Sequence, residues 1–112
     1  MKRTLLALLL LPALLASACA TEESIKEEWD AFVEANSRCQ IDSGCALVYP
    51  GCPLGCFTAV RADAVDEAQA YAKDLIDEWE LGGMRNCEYG CLGPSEPSCD
   101  ATGRCTVGPL DY

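Results

Sequence analysis

Residues 63–81, with the sequence DAVDEAQAYAKDLIDEWEL, carry the clearest structural signal in this chain of 112 residues. Apolar side chains recur there with the 3.6-residue period of an amphipathic helix. They are Val65, Ala68, Ala72, Leu75, Ile76 and Trp79. Asp63 stands where an N-cap is expected, and Gly82-Gly83 ends the pattern. We therefore predict a helix over about 63–81, with its acidic face in solvent.

A second amphipathic pattern covers residues 22–36. Its apolar stripe consists of Ile25, Trp29, Phe32 and Val33. Ser24 followed by Glu27 fits a capping box, and Thr21 is an alternative cap. The opposite face is acidic, whereas a helix that binds anionic lipid carries lysine there. We therefore predict a helix over about 22–36 that packs on the domain core.

The segments around the 63–81 helix favour short strands and turns. An apolar run within 45–52 ends at Pro50-Gly51, and 56–60 is β-branched and aromatic. Residues 84–90 are a further strand candidate, and Thr102-Gly103 is the predicted turn of a hairpin. Together with the two helices, these elements predict a small α+β domain with a few short strands.

The nine cysteines divide into one near the N-terminus and eight that flank the 63–81 helix. We predict that the eight form disulfides: Cys39, Cys45, Cys52, Cys56, Cys87, Cys91, Cys99 and Cys105. Their spacing is C-x5-C-x6-C-x3-C before the helix and C-x3-C-x7-C-x5-C after it. Eight cysteines allow about 105 connectivities, so the pairing is open. We expect at least one of Cys52 and Cys56 to bond with the group from Cys87 to Cys105.

Residues 1–18 have the three parts of a secretory signal peptide. Lys2 and Arg3 are followed by the apolar run 4–15 and the small residues 16–18. The run is shorter than the roughly 20 apolar residues of a membrane-spanning helix. We therefore predict cleavage after Ala18, which leaves residues 19–112 as a single disulfide-stabilised domain.

The sequence LASAC over residues 15–19 resembles the lipobox of bacterial lipoproteins. The resemblance implies that Cys19 becomes the lipid-modified N-terminus, and Ala20 in place of aspartate implies sorting to the outer membrane. Ala16 stands where the family prefers leucine. The pattern A-x-A also fits ordinary secretion, so a periplasmic or secreted protein is the alternative. The spacing from Cys39 to Cys105 resembles that of small cysteine-rich lipoproteins of myxobacterial type, and this likeness implies no activity.

Composition narrows the possible functions. The formal net charge is −10, and loss of Lys2 and Arg3 leaves six basic against 18 acidic residues, or −12. Such a balance argues against a nucleic-acid partner. The chain has no histidine, which removes the usual general base and histidine-bearing zinc sites. The C-x3-C pairs differ from zinc knuckles and from redox C-x-x-C motifs. We therefore expect no enzyme, no cofactor and no metal site.

The remaining hypotheses concern binding. The first is a lipid-anchored, non-catalytic structural or interaction module of the cell envelope, with a membrane contact through its lipid and an unidentified protein partner. The second is a secreted inhibitor or toxin-like effector that acts through a cysteine-braced loop. The candidate loops are Ala46–Gly51 and Leu92–Ser98. A third hypothesis is electrostatic binding of cations or a basic partner by the acidic surface.

Overall fold

The computed structural model describes residues 20–83, 86–93 and 96–108. Within these residues, two helices, four short strands and two 3-10 turns follow one another. They are α1 (Glu22–Ala35), a 3-10 turn (Asp42–Gly44), β1 (Cys45–Val48), β2 (Thr58–Arg61), a 3-10 turn (Ala62–Ala64), α2 (Val65–Glu80), β3 (Pro97–Cys99) and β4 (Cys105–Val107). The predicted small α+β domain with two helices is confirmed. The predicted signal peptide and Cys19 lie outside the described residues.

Helix α1 begins with a capping box formed by Thr21 and Ser24. The Ser24 N–H donates to Thr21 Oγ1 at 3.0 Å, and the Thr21 N–H donates to Ser24 Oγ at 2.9 Å. Thr21 is therefore the N-cap, and Ser24 is the third helical residue. The predicted box of Ser24 and Glu27 is wrong, because the earlier hydroxyl caps the first turn.

Helix α2 begins two residues later than the sequence indicates. Residues Ala62–Ala64 form a 3-10 turn, and Ala64 is the N-cap without a side-chain hydrogen bond. The carboxylate of Asp63 instead accepts a hydrogen bond from Nε of Arg61. The prediction of Asp63 as the N-cap is wrong, since Asp63 is engaged by this arginine.

The main core lies between the two helices and the sheet of β1 and β2. Its buried members are Ile25, Trp29, Val48, Val60, Ala68, Ala72, Leu75 and Trp79. The helical members belong to the two predicted apolar stripes. Burying such side chains contributes about 1.5–3 kcal/mol for each large one, so this core is what holds the helices on the sheet.

An aromatic contact joins the two helices at the edge of this core. The ring of Phe32 stacks on that of Tyr71, with 4.8 Å between centroids. Burial raises the pKa of the Tyr71 phenol, and the nearby carboxylates of Glu28 and Glu78 raise it further. The phenol is therefore held in its neutral form where α1 and α2 meet.

Two antiparallel pairs of strands complete the domain. In the first, Cys45 of β1 lies opposite Arg61 of β2. In the second, Cys99 of β3 lies opposite Cys105 of β4, which confirms the predicted hairpin around Thr102-Gly103. Residues 86–90 form no strand, so the strand candidate at 84–90 is wrong over this part, and residues 84–85 lie outside the described residues.

Within the described part of the chain, neither helix has the length and apolar character needed to cross a membrane.

Candidate functional site: a disulfide framework and an arginine-lined cavity

The eight cysteines from Cys39 to Cys105 form four disulfides. The pairs are Cys39–Cys99, Cys45–Cys105, Cys52–Cys87 and Cys56–Cys91, with Cα atoms 5.6–5.9 Å apart. Each bond joins a residue that precedes α2 to a residue that follows it. The expectation that Cys52 or Cys56 bonds with the later group is confirmed for both.

The pairing follows the spacing of the cysteines in the sequence. We call Cys39–Cys99 and Cys45–Cys105 the outer pair, in which both bonds span 60 residues. The other two bonds are the inner pair, and both span 35 residues. Each C-x5-C segment thus bonds with the other C-x5-C segment in the same order, and the C-x3-C segments do likewise. The matching intervals are compatible with this pairing of segments, whereas the order of the bonds within each pair is known only from the structure.

The outer pair forms a second, smaller core. Cys45 and Cys105 are buried with Ala59 beside them. The Sγ atoms of Cys39, Cys45 and Cys99 lie within 4.8 Å of one another, a spacing that could suit a metal ion. Metal binding by cysteine requires thiolates, and these sulfurs are oxidised. The cluster therefore consists of sulfurs from two neighbouring disulfide bonds.

The inner pair braces the loop between β1 and β2. The Tyr89 hydroxyl donates to the carbonyl oxygen of Pro53 at 3.0 Å, which ties the segment after α2 to this loop. At the other side of the loop, the rings of Tyr49 and Phe57 meet edge to face at 5.2 Å. These contacts hold the loop in place. The loop begins after Val48, the last residue of β1.

The two predicted binding loops differ in the structure. Residues 46–48 belong to β1, so the prediction of a loop over Ala46–Gly51 is wrong for them. These apolar residues form a strand rather than a loop because β2 pairs with them through backbone hydrogen bonds. In Leu92–Ser98, the side chain of Leu92 is exposed, whereas Pro97 and Ser98 belong to β3. Residues 94–95 lie outside the described residues.

Two arginines that are 66 positions apart in sequence lie side by side. Arg38 and Arg104 face each other in an isolated antiparallel β-bridge. The Cys39 N–H donates to the carbonyl oxygen of Gly103 at 3.0 Å, and the Cys105 N–H donates to that of Ser37 at 2.7 Å. These two bonds flank the arginines, so the arginines form the non-hydrogen-bonded kind of pair, whose side chains share one face and approach most closely.

The two arginines line a cavity at the end of α1. Its volume is about 170 Å³, and Glu34, Ser37 and Thr102 complete the lining. Arg104 Nη1 lies 3.9 Å from Glu34 Oε1. Arg38 is exposed and has no ion pair with another described residue. The cavity therefore combines two guanidinium groups with one carboxylate and two hydroxyls.

Asp100 shapes the turn that carries Thr102 and Arg104. Its Oδ1 accepts hydrogen bonds from Thr102 Oγ1 at 2.6 Å, from Thr102 N–H at 2.9 Å and from Arg104 N–H at 3.0 Å. The bond from the Thr102 hydroxyl is the main reason why the pKa of Asp100 lies below its usual value. Gly103 has φ +80°, and a Cβ there would lie 3.3 Å from the carbonyl oxygen of Cys39, so this position requires glycine.

Sequence reasoning missed this cavity. The dipeptide Arg-Cys occurs twice, at 38–39 and at 104–105, and each cysteine belongs to the outer pair. This repetition is the one signal in the sequence that could have drawn attention to the arginines. The repetition indicates a site only when the disulfide pairing, which brings the two Arg-Cys segments together, is known.

The chain matches no family model, no curated protein and no solved structure. The fold, the disulfide framework and the arginine-lined cavity are therefore the basis on which its function is inferred.

Proposed function

We propose that the chain is an exported, lipid-anchored and non-catalytic binding module of the cell envelope, attached to the outer membrane through Cys19. The observation that carries the proposal is the set of four disulfides that cross from one side of α2 to the other. Disulfides persist in oxidising compartments such as the periplasm, and they are rare in the cytosol. This framework fits export by the signal peptide.

The position of the first described residues supports an anchor close to the domain. Ala20 packs against the main core, and α1 begins at Glu22. Cys19 is thus one residue away from a packed side chain. An acyl group on Cys19 would hold the domain directly against the bilayer surface, with no spacer between them.

The chemistry available in the described domain supports the proposal of a binding role. The chain has no histidine, and its eight cysteines after Cys19 are cross-linked, so thiolate and imidazole chemistry are absent from the described domain. A rigid scaffold that presents a cavity or loop lowers the entropy cost of binding a partner. Preorganised recognition is the activity that this scaffold supports best.

The test is the mass and location of the mature protein. The full chain would be expressed in a bacterium with an outer membrane, beside a Cys19→Ser variant and a matched Ser17→Ala control that keeps the cysteine. We expect acyl mass on Cys19 and outer-membrane recovery for the first and third proteins, and loss of both in Cys19→Ser. Soluble protein without acyl mass in all three would refute the anchor and favour the secreted inhibitor.

A further inference from the structure

The arrangement of Arg38 and Arg104 has an electrostatic cost. Like charges placed directly opposite each other in a strand pair are destabilising. The region after Cys19 has six basic residues and a net charge of −12, so partners for both arginines are abundant elsewhere on the surface. Among the described residues that line the cavity, however, Glu34 is the single carboxylate, and it lies near Arg104 and not within ion-pair distance of Arg38. The carboxylate of Asp100 lies outside this lining, where it holds the turn and also attracts Arg104. The pocket lining therefore keeps a net charge of +1.

The backbone beneath the arginines is fixed by covalent bonds. Arg38 precedes Cys39 and Arg104 precedes Cys105, and these cysteines belong to the two different bonds of the outer pair. The hydrogen bonds of Cys39 and Cys105 hold the same two segments together. The two guanidinium groups are thus presented from a preorganised base, which lowers the entropy lost when a ligand binds.

The hydroxyls of the cavity act as acceptors. Thr102 Oγ1 already donates to Asp100 at 2.6 Å, and Ser37 Oγ points to the carbonyl oxygen of Glu34 at 3.4 Å. A hydroxyl has one donor and two acceptor lone pairs, so both oxygens keep acceptor capacity. Glu34 adds a charged acceptor. The cavity therefore pairs charged donors with a group of acceptors.

We infer that this cavity binds a small carboxylate that carries a hydrogen-bond donor beside its carboxyl group, as α-hydroxy acids and α-amino acids do. The fork of N–H groups on an arginine matches a carboxylate in geometry and charge. One bound carboxylate cancels the net charge of the lining. The adjacent O–H or N–H donates to Glu34, Ser37 or Thr102. The site requires only the folded domain, so its test is independent of the anchor at Cys19.

The experiment is an NMR titration of the disulfide-bonded full-length protein, purified in a neutral detergent. Sodium glycolate replaces sodium chloride at constant ionic strength and pH, and acetate is the matched probe without a donor. We expect saturable shifts of the amide signals of residues 37–39 and 102–105, with glycolate binding more tightly than acetate. Arg38→Gln should weaken glycolate binding about tenfold, the loss expected for one charged hydrogen bond.

Two further variants distinguish binding in this cavity from non-specific electrostatic attraction of the anion to the protein. Lys73→Gln makes the same change of charge on α2, outside the cavity, and should leave the affinity for glycolate unchanged. Glu34→Gln should tighten acetate binding, because it removes the negative charge of the lining. Equal losses in Arg38→Gln and Lys73→Gln, or shifts that avoid both cavity segments, would overturn the proposal. Equal affinity for acetate and glycolate would overturn the requirement for a donor.

Discussion

Removal of one bond of the outer pair is the most informative test of the disulfide framework. In the variant with Cys39→Ala and Cys99→Ala, the neighbouring bond Cys45–Cys105 remains. Both substituted residues are only partly buried, so the cavity left by the two sulfurs is small. The loss of stability should therefore come mainly from the greater freedom of the unfolded chain.

The two bonds of the outer pair reduce each other's effect. A lone bond with a 60-residue separation would stabilise by about 4.3 kcal/mol in the loop-entropy relation. With Cys45–Cys105 intact, the loop closed by Cys39–Cys99 shrinks to the segments 39–45 and 99–105. Such a loop of about 14 residues corresponds to about 3.0 kcal/mol. We expect this smaller loss.

The assay is guanidinium unfolding of both proteins without reductant, with the free energy of unfolding obtained by linear extrapolation. Cys52→Ala with Cys87→Ala is the matched control in the inner pair, where a loop of about 10 residues predicts a loss of about 2.7 kcal/mol. A loss near 4.3 kcal/mol for the Cys39 and Cys99 variant would show that the two outer bonds act independently, and would refute the reasoning.

Three smaller perturbations test other parts of the structure. Thr21→Ala removes the N-cap acceptor of α1 and should lower the free energy of unfolding by about 1 kcal/mol in the same assay, while Thr21→Ser keeps the hydroxyl and most of the stability. Burial raises the pKa of Tyr71 above 10.0, so an ultraviolet titration should show one late tyrosine that disappears in Tyr71→Phe. The stability that Tyr71 contributes by this shift is present below pH 10 and is lost as the pH rises through its raised pKa. Hydrogen bonding from Thr102 lowers the pKa of Asp100 below 3.8, so its contribution is present above that pH and is lost as the pH falls through the lowered pKa. The melting temperatures of wild type and Asp100→Ala should therefore converge in acid, and a constant difference between them would contradict this assignment.

Periodic elements were predictable because their signal is local. The stripe from Ile25 to Val33 and the one from Val65 to Trp79 each describe a single helical face, and both faces pack on the core. The hairpin at Thr102-Gly103 was predictable for the same reason, since the turn residues lie between its strands. The first residues of the helices were harder to predict. At α1, Thr21 and Ser24 are competing cap acceptors, and at α2 the carboxylate of Asp63 is engaged by Arg61 instead of capping the helix.

Tertiary pairings were not accessible from local patterns. The four disulfides and the contact of Arg38 with Arg104 join residues 35 to 66 positions apart, and local preferences carry no information on which distant segments meet. The strand candidate at 84–90 shows a related limit. That segment is held by the bonds of Cys87 and Cys91 to the loop before β2, so it needs no strand partner to stay in place.

Each disulfide joins a residue before α2 to a residue after it, and this arrangement also determines how the molecule responds to a protease. Every segment between Cys39 and Cys105 is bridged by at least one disulfide, so one cut anywhere in this region leaves the two pieces covalently joined. Helix α1 precedes the first cysteine of the framework and lacks such a bridge. A single cut after the exposed Arg38 would leave α1 held by non-covalent contacts alone. If Cys19 carries lipid as proposed, the segment between Cys19 and Cys39 is where a single cut could shed the cross-linked domain from the membrane.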